Sequence, residues 1–313
     1  MKLCVGAYAA SPSANGWNPE IESQFYQGLR SLPAISGLEI PFLGTLHAQN
    51  PEWFLEQLSP DWNSVLTPIP GVMNTLAQAP NFGLASNDET GRKQALDFMQ
   101  ALLQSVQQMN RHFGRQVVSA VEVHSAPTLG KPDISSSIDA FAQSLSELRS
   151  WDWQGAQLVV EHCDAFVSSW PPAKGFLSLE SEIEAIELST GHTPAGILIN
   201  WGRSAIEQHD ERTPESHLRL AKQKGLLKGL IFSGATIESP LYGTWSDSHA
   251  PFVTPGSVLT EARAKACVEI ADASSLRVFG FKMQALPKSL DVNARLNFIQ
   301  NNLQMCQRLV AGQ

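Results

Sequence analysis

Charge is the scarcest resource in this chain. Only 17% of its 313 residues are Asp, Glu, Lys or Arg, against about a quarter in an average soluble domain. The balance is acidic, 22 basic against 30 acidic residues for a net charge of −8. With no basic stripe, a nucleic-acid backbone is excluded as the expected partner, because counterion release needs clustered Lys and Arg. Cysteine is equally sparse. Cys4, Cys163, Cys267 and Cys306 form no C-x-x-C pair and read as small buried hydrophobes of a reducing, cytoplasmic compartment. No apolar run approaches the roughly 18 residues of a membrane span. Lys2 followed by Leu3 to Ala9 has the outline of a very short signal peptide, but a buried first strand accounts for the same residues better. No G-x-G-x-x-G follows that strand, where the chain reads Ala-Ser-Pro-Ser-Ala-Asn-Gly, so a dinucleotide-binding open sheet is disfavoured.

What is present is a rhythm. Short, nearly continuous apolar runs occur at 2–9, 37–42, 64–69, 118–125, 157–164, 195–201, 227–234 and 276–283. Such runs suit parallel strands covered on both faces. Helical patterns separate them, at about 19–31, 51–58, 134–149, 178–190, 213–224 and 258–272. Ser86-x-x-Glu89 has the form of a capping box opening a further helix, and Asp291 of a cap for the last. Strand then helix, eight times, with no linker-like break, predicts one α/β domain over 1–313, a single (β/α)8 TIM barrel.

A barrel of this kind carries its chemistry at the C-terminal strand ends. Polar residues there are Glu39, Thr67, Glu122, His124, Glu161, His162, Asp164, Asn200, Arg203, Ser233 and Lys282. Burying a carboxylate or lysine late in an apolar strand is costly unless it is paired or faces a wet cavity. The bland expectation is an ion network closing the barrel, Glu161 with Lys282 or Glu122 with Arg203. The functional one is a ligand site. Two long connections, 70–89 and 235–257, follow strands and favour it. The second holds Tyr242, Trp245, Asp247 and His249. Trp17, Trp53, Trp170 and Trp201 also follow strands, and flat amphipathic rings suit a sugar-sized ligand. His47 follows the second strand and is within reach of the mouth, whereas His112, His192, His209 and His217 read as ordinary surface residues. Ser233-Gly234-Ala235-Thr236 has the small residues of a phosphate-binding nest.

In order and spacing, these segments resemble the xylose-isomerase-like barrels: sugar isomerases, ketose 3-epimerases and related metal-dependent endonucleases. The likeness is carried by Gly37-Leu38-Glu39-Ile40, Leu84-Ala85-Ser86 through Arg92, Val123-His124-Ser125 and Val160-Glu161-His162, and it is greatest to a bacterial branch with no assigned activity. The resemblance implies a metal held by Glu, Asp, His and Glu on strands five to eight. Here those positions read Glu161, Asn200, Ser233 and Lys282. A lysine ammonium cannot ligate a divalent ion and repels one. The expectation is therefore no cofactor and no metal at that position, with a displaced site of Asp247, His249 and Glu161 as the lesser alternative. The resemblance implies a carbohydrate isomerase or epimerase. Proton transfer next to a carbonyl needs a base and a positive group, which makes Glu161 the expected base and Lys282 the expected electrostatic stabiliser or acid. Glu122, His124, Asn200, Arg203, Trp245 and His249 would bind a small-molecule carbohydrate, with no nucleic acid or membrane involved. The alternative is a non-catalytic carbohydrate-binding barrel, a sensor or scaffold.

Overall fold

A computed structural model describes residues 1–311. Eight strands, β1 (Leu3–Val5), β2 (Ile35–Pro41), β3 (Ser64–Thr67), β4 (Val118–Val123), β5 (Gln157–His162), β6 (Ala195–Asn200), β7 (Leu227–Phe232) and β8 (Val278–Phe281), close into a barrel in chain order. Every neighbouring pair is parallel, and β1 returns to pair with β8. This is the (β/α)8 barrel expected. No helix among the described residues is long and apolar enough to cross a membrane.

The helices are α1 (Pro19–Arg30), α2 (Pro51–Gln57), α3 (Ile69–Leu76), α4 (Glu89–Phe113), α5 (Ile138–Ser150), α6 (Leu179–Leu188), α7 (Trp201–Gln208), α8 (Thr213–Gln223), α9 (Glu261–Ala271) and α10 (Val292–Ala311). Local chemistry sets their starts. Asn18, Asn50, Ser137, Ser178 and Thr260 each accept a backbone N–H from the first turn they cap. Asp291 likewise accepts from Ala294 N at 2.8 Å. The expected capping box is corrected: Asp88, not Ser86, caps α4, accepting from Gly91 N at 2.7 Å. The Ser86 hydroxyl accepts from Asp88 N and so shapes the approach to the helix.

Two helices lie where none was expected. The connection assigned to 70–89 contains α3, whose apolar Ile69, Val72 and Leu76 are buried. α7 starts at Trp201, directly after β6, with Asn200 as its cap. Each is only 8 residues long, too short to show a periodic stripe above the neighbouring strand pattern. The 235–257 connection has no helix or strand and is tied back by single bridges, Gly234 to Ala250 and Thr236 to Ser257.

Period-two alternation separates the barrel interior from the layer under the helices. Cys4, Val65, Ala120, Val159, Leu198, Ile231 and Val278 form an apolar plug inside the barrel. Two residues further along their strands stand Thr67, Glu122, Glu161, Asn200 and Ser233, and four beyond Val278 stands Lys282. The interior is thus greasy below and polar at the C-terminal end, the layering a barrel site needs.

Candidate functional site at the barrel mouth

Glu161, at the end of β5, is the hub. Its Oε1 accepts from Asn200 Nδ2 at 2.9 Å and Lys282 Nζ at 3.3 Å. Its Oε2 lies 2.8 Å from His124 Nε2 and 2.6 Å from an Arg203 guanidinium nitrogen. Lys282 Nζ also donates to Glu39 Oε1 at 2.6 Å, and the Tyr8 hydroxyl reaches the same oxygen at 3.3 Å. Gly6 makes room for the lysine stem: a Cβ there would lie 2.8 Å from Lys282 Cβ. Arg203, on α7, runs on to Asp247 Oδ2 at 3.2 Å, and Lys174 Nζ meets that oxygen at 2.9 Å. His249 Nδ1 is 2.7 Å from Ser233 Oγ and 3.3 Å from Asp247 Oδ1.

The electrostatics follow from these contacts. Burial alone would raise the Glu161 pKa, but Arg203 and Lys282, helped by His124, outweigh it and hold the carboxyl well below its usual range. Glu122 is the opposite case. Burial, with Glu161 and Glu39 nearby, pushes it well above the carboxylate range. The Thr67 side chain opposes this only weakly, and with no cation paired to it burial favours the neutral acid. Burial also raises Glu39, against the pull of Lys282. It keeps His124 below the usual imidazole range, and it pushes His249 down to about 3. With Glu39, Glu161 and Asp247 as anions and Lys282, Arg203 and Lys174 as cations, the mouth is neutral when Glu122 is protonated.

The structure brings together Glu39, Glu122, His124, Glu161, Asn200, Arg203 and Lys282, the strand-end set singled out by sequence. It re-pairs some of them. Of the two ion pairs expected, Glu161–Lys282 is present, while Arg203 goes to Glu161 and Asp247 instead of Glu122. The displaced metal site of Asp247, His249 and Glu161 is not assembled, because the Arg203 guanidinium stands between the two carboxylates. The suggested phosphate nest is also occupied by protein: Gly234 N–H donates to Ala250 O, and the Thr236 hydroxyl to Gly243 O.

The long loop contributes Trp245 to an aromatic stack with rings from two other connections. His209 is stacked between Trp170, at 4.1 Å, and Trp245, at 5.0 Å. His209, Trp245 and His249 all have left-handed backbones, with φ of 49°, 44° and 53°, conformations that cost a non-glycine residue about 1–2 kcal/mol. The other tryptophans have different duties. Trp17 and Trp53 pack edge to face with each other and against His47, while Trp201 is fully buried.

His162 and Asp164, expected at the mouth, are elsewhere. His162 follows Glu161 and therefore points out of the barrel, where Nδ1 meets Glu182 Oε2 at 2.7 Å and Nε2 meets Glu207 Oε2 at 3.0 Å. Asp164 accepts the backbone N–H groups of Lys174 and Gly175, and burial lifts its pKa to about 6. His217, expected on the surface, is only 12% exposed in its side chain and lies 3.7 Å from Glu207 Oε1. Alternation could have turned His162 outward. Nothing local marked Glu182, Glu207 or His217 as its companions, since they come from three helices.

A family described as "Domain of unknown function (DUF4862)" matches residues 4–298. The chain belongs to the DUF4862 family. An uncharacterized protein of Salmonella typhimurium (strain LT2) is 38% identical over 306 residues, covering 97% of this chain and 96% of that protein. Among solved structures, the IolI protein with a bound zinc atom superposes with a TM-score of 0.62 at 13% identity, over 100% of this chain and 99% of that one. A xylose isomerase domain protein from Planctomyces limnophilus superposes with a TM-score of 0.56 at 14% identity, over 100% and 99%. These neighbours are xylose-isomerase-like TIM barrels, and the DUF4862 chain shares their fold.

Proposed function

We propose that this DUF4862 barrel binds a small carbohydrate at its mouth and moves a proton next to the sugar's carbonyl, as an isomerase or epimerase. The observation that carries the reading is the position of Lys282: its ammonium bridges Glu39 and Glu161 at the centre of the barrel end. Glu39, Glu122 and Glu161 lie close enough to hold an ion, but in this reading the Lys282 ammonium takes that place, since it offers no lone pair and supplies positive charge of its own. The Lys282 ammonium takes over the electrostatic task instead.

In this reading the sugar displaces one donor from Glu161, and the pKa of the carboxylate rises toward the operating range of a base. Glu161 takes the proton from the carbon next to the carbonyl. The electron pair of that bond moves into an enediolate whose oxygen faces Lys282. Glu161 returns its proton to the neighbouring carbon while the hydroxyl proton passes to the former carbonyl oxygen, which completes an isomerisation. In an epimerisation a second acid, for which neutral Glu122 is the candidate, protonates the original carbon from the opposite face, and the proton on Glu161 replaces the one that acid gave up. Neutral Glu122 is placed to donate a hydrogen bond, while His124, Asn200 and Arg203 orient hydroxyl groups. Because the cluster is buried, entry requires movement of the loop that carries Trp245 and His249.

A second reading is favoured by one specific observation. Both oxygens of Glu161 are already engaged by protein donors, as in a barrel kept for binding a carbohydrate without turning it over. A thermal-shift screen of sugars with and without Mn²⁺ or Mg²⁺, followed by proton exchange of the stabilising sugar in D₂O, separates the two. The enzyme reading expects exchange that needs no added metal and falls by about 10²–10⁴-fold in Glu161→Gln and Lys282→Met. Binding without exchange favours the sensor. Parent-like exchange in both variants overturns the assignment of the two residues.

A further inference from the structure

The outward face of β5 carries a second cluster, separated from the mouth by the strand itself. His162 of β5, Glu207 of α7 and His217 of α8 present His162 Nε2, a Glu207 carboxylate oxygen and a His217 nitrogen within 4.8 Å of one another. The gaps are 3.0 Å from His162 Nε2 to Glu207 Oε2 and 3.7 Å from His217 Nε2 to Glu207 Oε1. Ligand atoms at ordinary zinc distances around a tetrahedral ion are about 3.3 Å apart, so small side-chain adjustments would bring all three onto one centre. The two imidazoles are nearly perpendicular, at 82° with centroids 4.8 Å apart.

The surroundings prepare the nitrogens. His162 Nδ1 is engaged by Glu182 Oε2 at 2.7 Å, and His217 Nδ1 by Ser204 Oγ at 3.0 Å. In both rings this leaves Nε2 as the nitrogen that faces Glu207, so a metal there would replace the proton shared by His162 Nε2 and Glu207 Oε2. Glu182 holds the other side of the His162 ring in the usual carboxylate–histidine–metal arrangement. Glu182 is itself fixed by the Ser125 hydroxyl at 2.5 Å, and Glu207 by the Ala165 N–H at 2.9 Å. His162 is fully buried, but His217 and Glu207 retain 12% and 8% of their side-chain exposure, so theirs is the edge of the cluster nearest solvent.

We propose that His162, Glu207 and His217 form a binding site for a transition-metal dication, zinc by preference, on the helix side of β5. Two imidazoles and one carboxylate are a donor set for such an ion rather than for Mg²⁺ or Ca²⁺, which favour oxygen ligands. The site ties β5, α7 and α8 together, and α7 also carries Arg203 of the mouth.

The test uses full-length, tag-free protein, stripped with chelator and titrated with Zn²⁺ alone, then with Co²⁺ to read the coordination spectrum. One equivalent of Zn²⁺ bound, with tetrahedral Co²⁺ bands, is expected. His217→Ala should lose stoichiometric binding, and Glu182→Gln should weaken it by about 10–100-fold. Lys282→Met, at the mouth, should leave it unchanged. Circular dichroism checks the fold of each variant, and His217→Gln replaces His217→Ala if that variant unfolds. No zinc bound at tens of micromolar, binding indifferent to His217 and Glu182, or binding lost in Lys282→Met would each overturn the proposal.

Discussion

Glu161 and His162 are consecutive residues of one strand, yet they occupy opposite electrostatic worlds. On the inner face an anion is held by two cations, an imidazole and an amide. On the outer face a ring is held by two carboxylates, Glu182 and Glu207. Burial opposes the charge in both cases, and in both the partners overrule it. Glu161 is kept well below the carboxylate range, while Glu182 and Glu207 lift His162 to about 10. The lesson is that a buried charge is set by what other elements bring to it, while the strand decides only which side it faces.

The comparison breaks hardest at Glu161. Replacing it by Leu leaves Arg203 and Lys282 facing each other without their shared anion, and urea unfolding should report a loss of about 3–5 kcal/mol. His162→Leu in chelated protein should cost less, about 1–3 kcal/mol, because Glu182 keeps the Ser125 hydroxyl and can take up a proton, while Glu207 keeps the Ala165 N–H and lies nearer the surface. Equal losses would mean that the two faces are not protected differently. Next comes pH. His162 has a folded pKa raised from 6.5 to about 10, so its contribution is fully present below pH 6.5 and is lost as pH rises through about 10. Chelated parent protein should lose stability across that window, and His162→Leu should lose that part of the slope. The smallest effect belongs to the rim. Asp247→Asn removes an anion from Arg203 and Lys174 but leaves Arg203 on Glu161, so a loss of only about 1–2 kcal/mol is expected.

Much of the mouth is legible in the sequence. Its members are polar residues at the ends of apolar strands, and the alternation places Glu122, Glu161, Asn200 and Lys282 on one face. Their pairing was not readable. Arg203 is on a helix that the strand pattern concealed, and its choice of Asp247 over Glu122 depends on where a long loop folds. The capping of α4 shows the same boundary at small scale: both Ser86 and Asp88 are capping residues by type, and only the turn geometry selects between them. His217 was least visible, because a helical histidine declares nothing until His162 and Glu207 arrive from other elements.

By itself, the order of apolar runs and helical stripes determined the barrel, because a strand buried on both faces and a helix buried on one have periods written into adjacent residues. The same order determined which strand ends would be polar. Tertiary structure alone decided which charges meet, since Glu39 and Lys282 are 243 positions apart and only barrel closure brings β2, β5 and β8 around one point. It also decided that His162 meets two carboxylates and a second imidazole rather than an apolar core. That distinction rests on distances of a few ångströms between side chains from four elements, which no local pattern encodes.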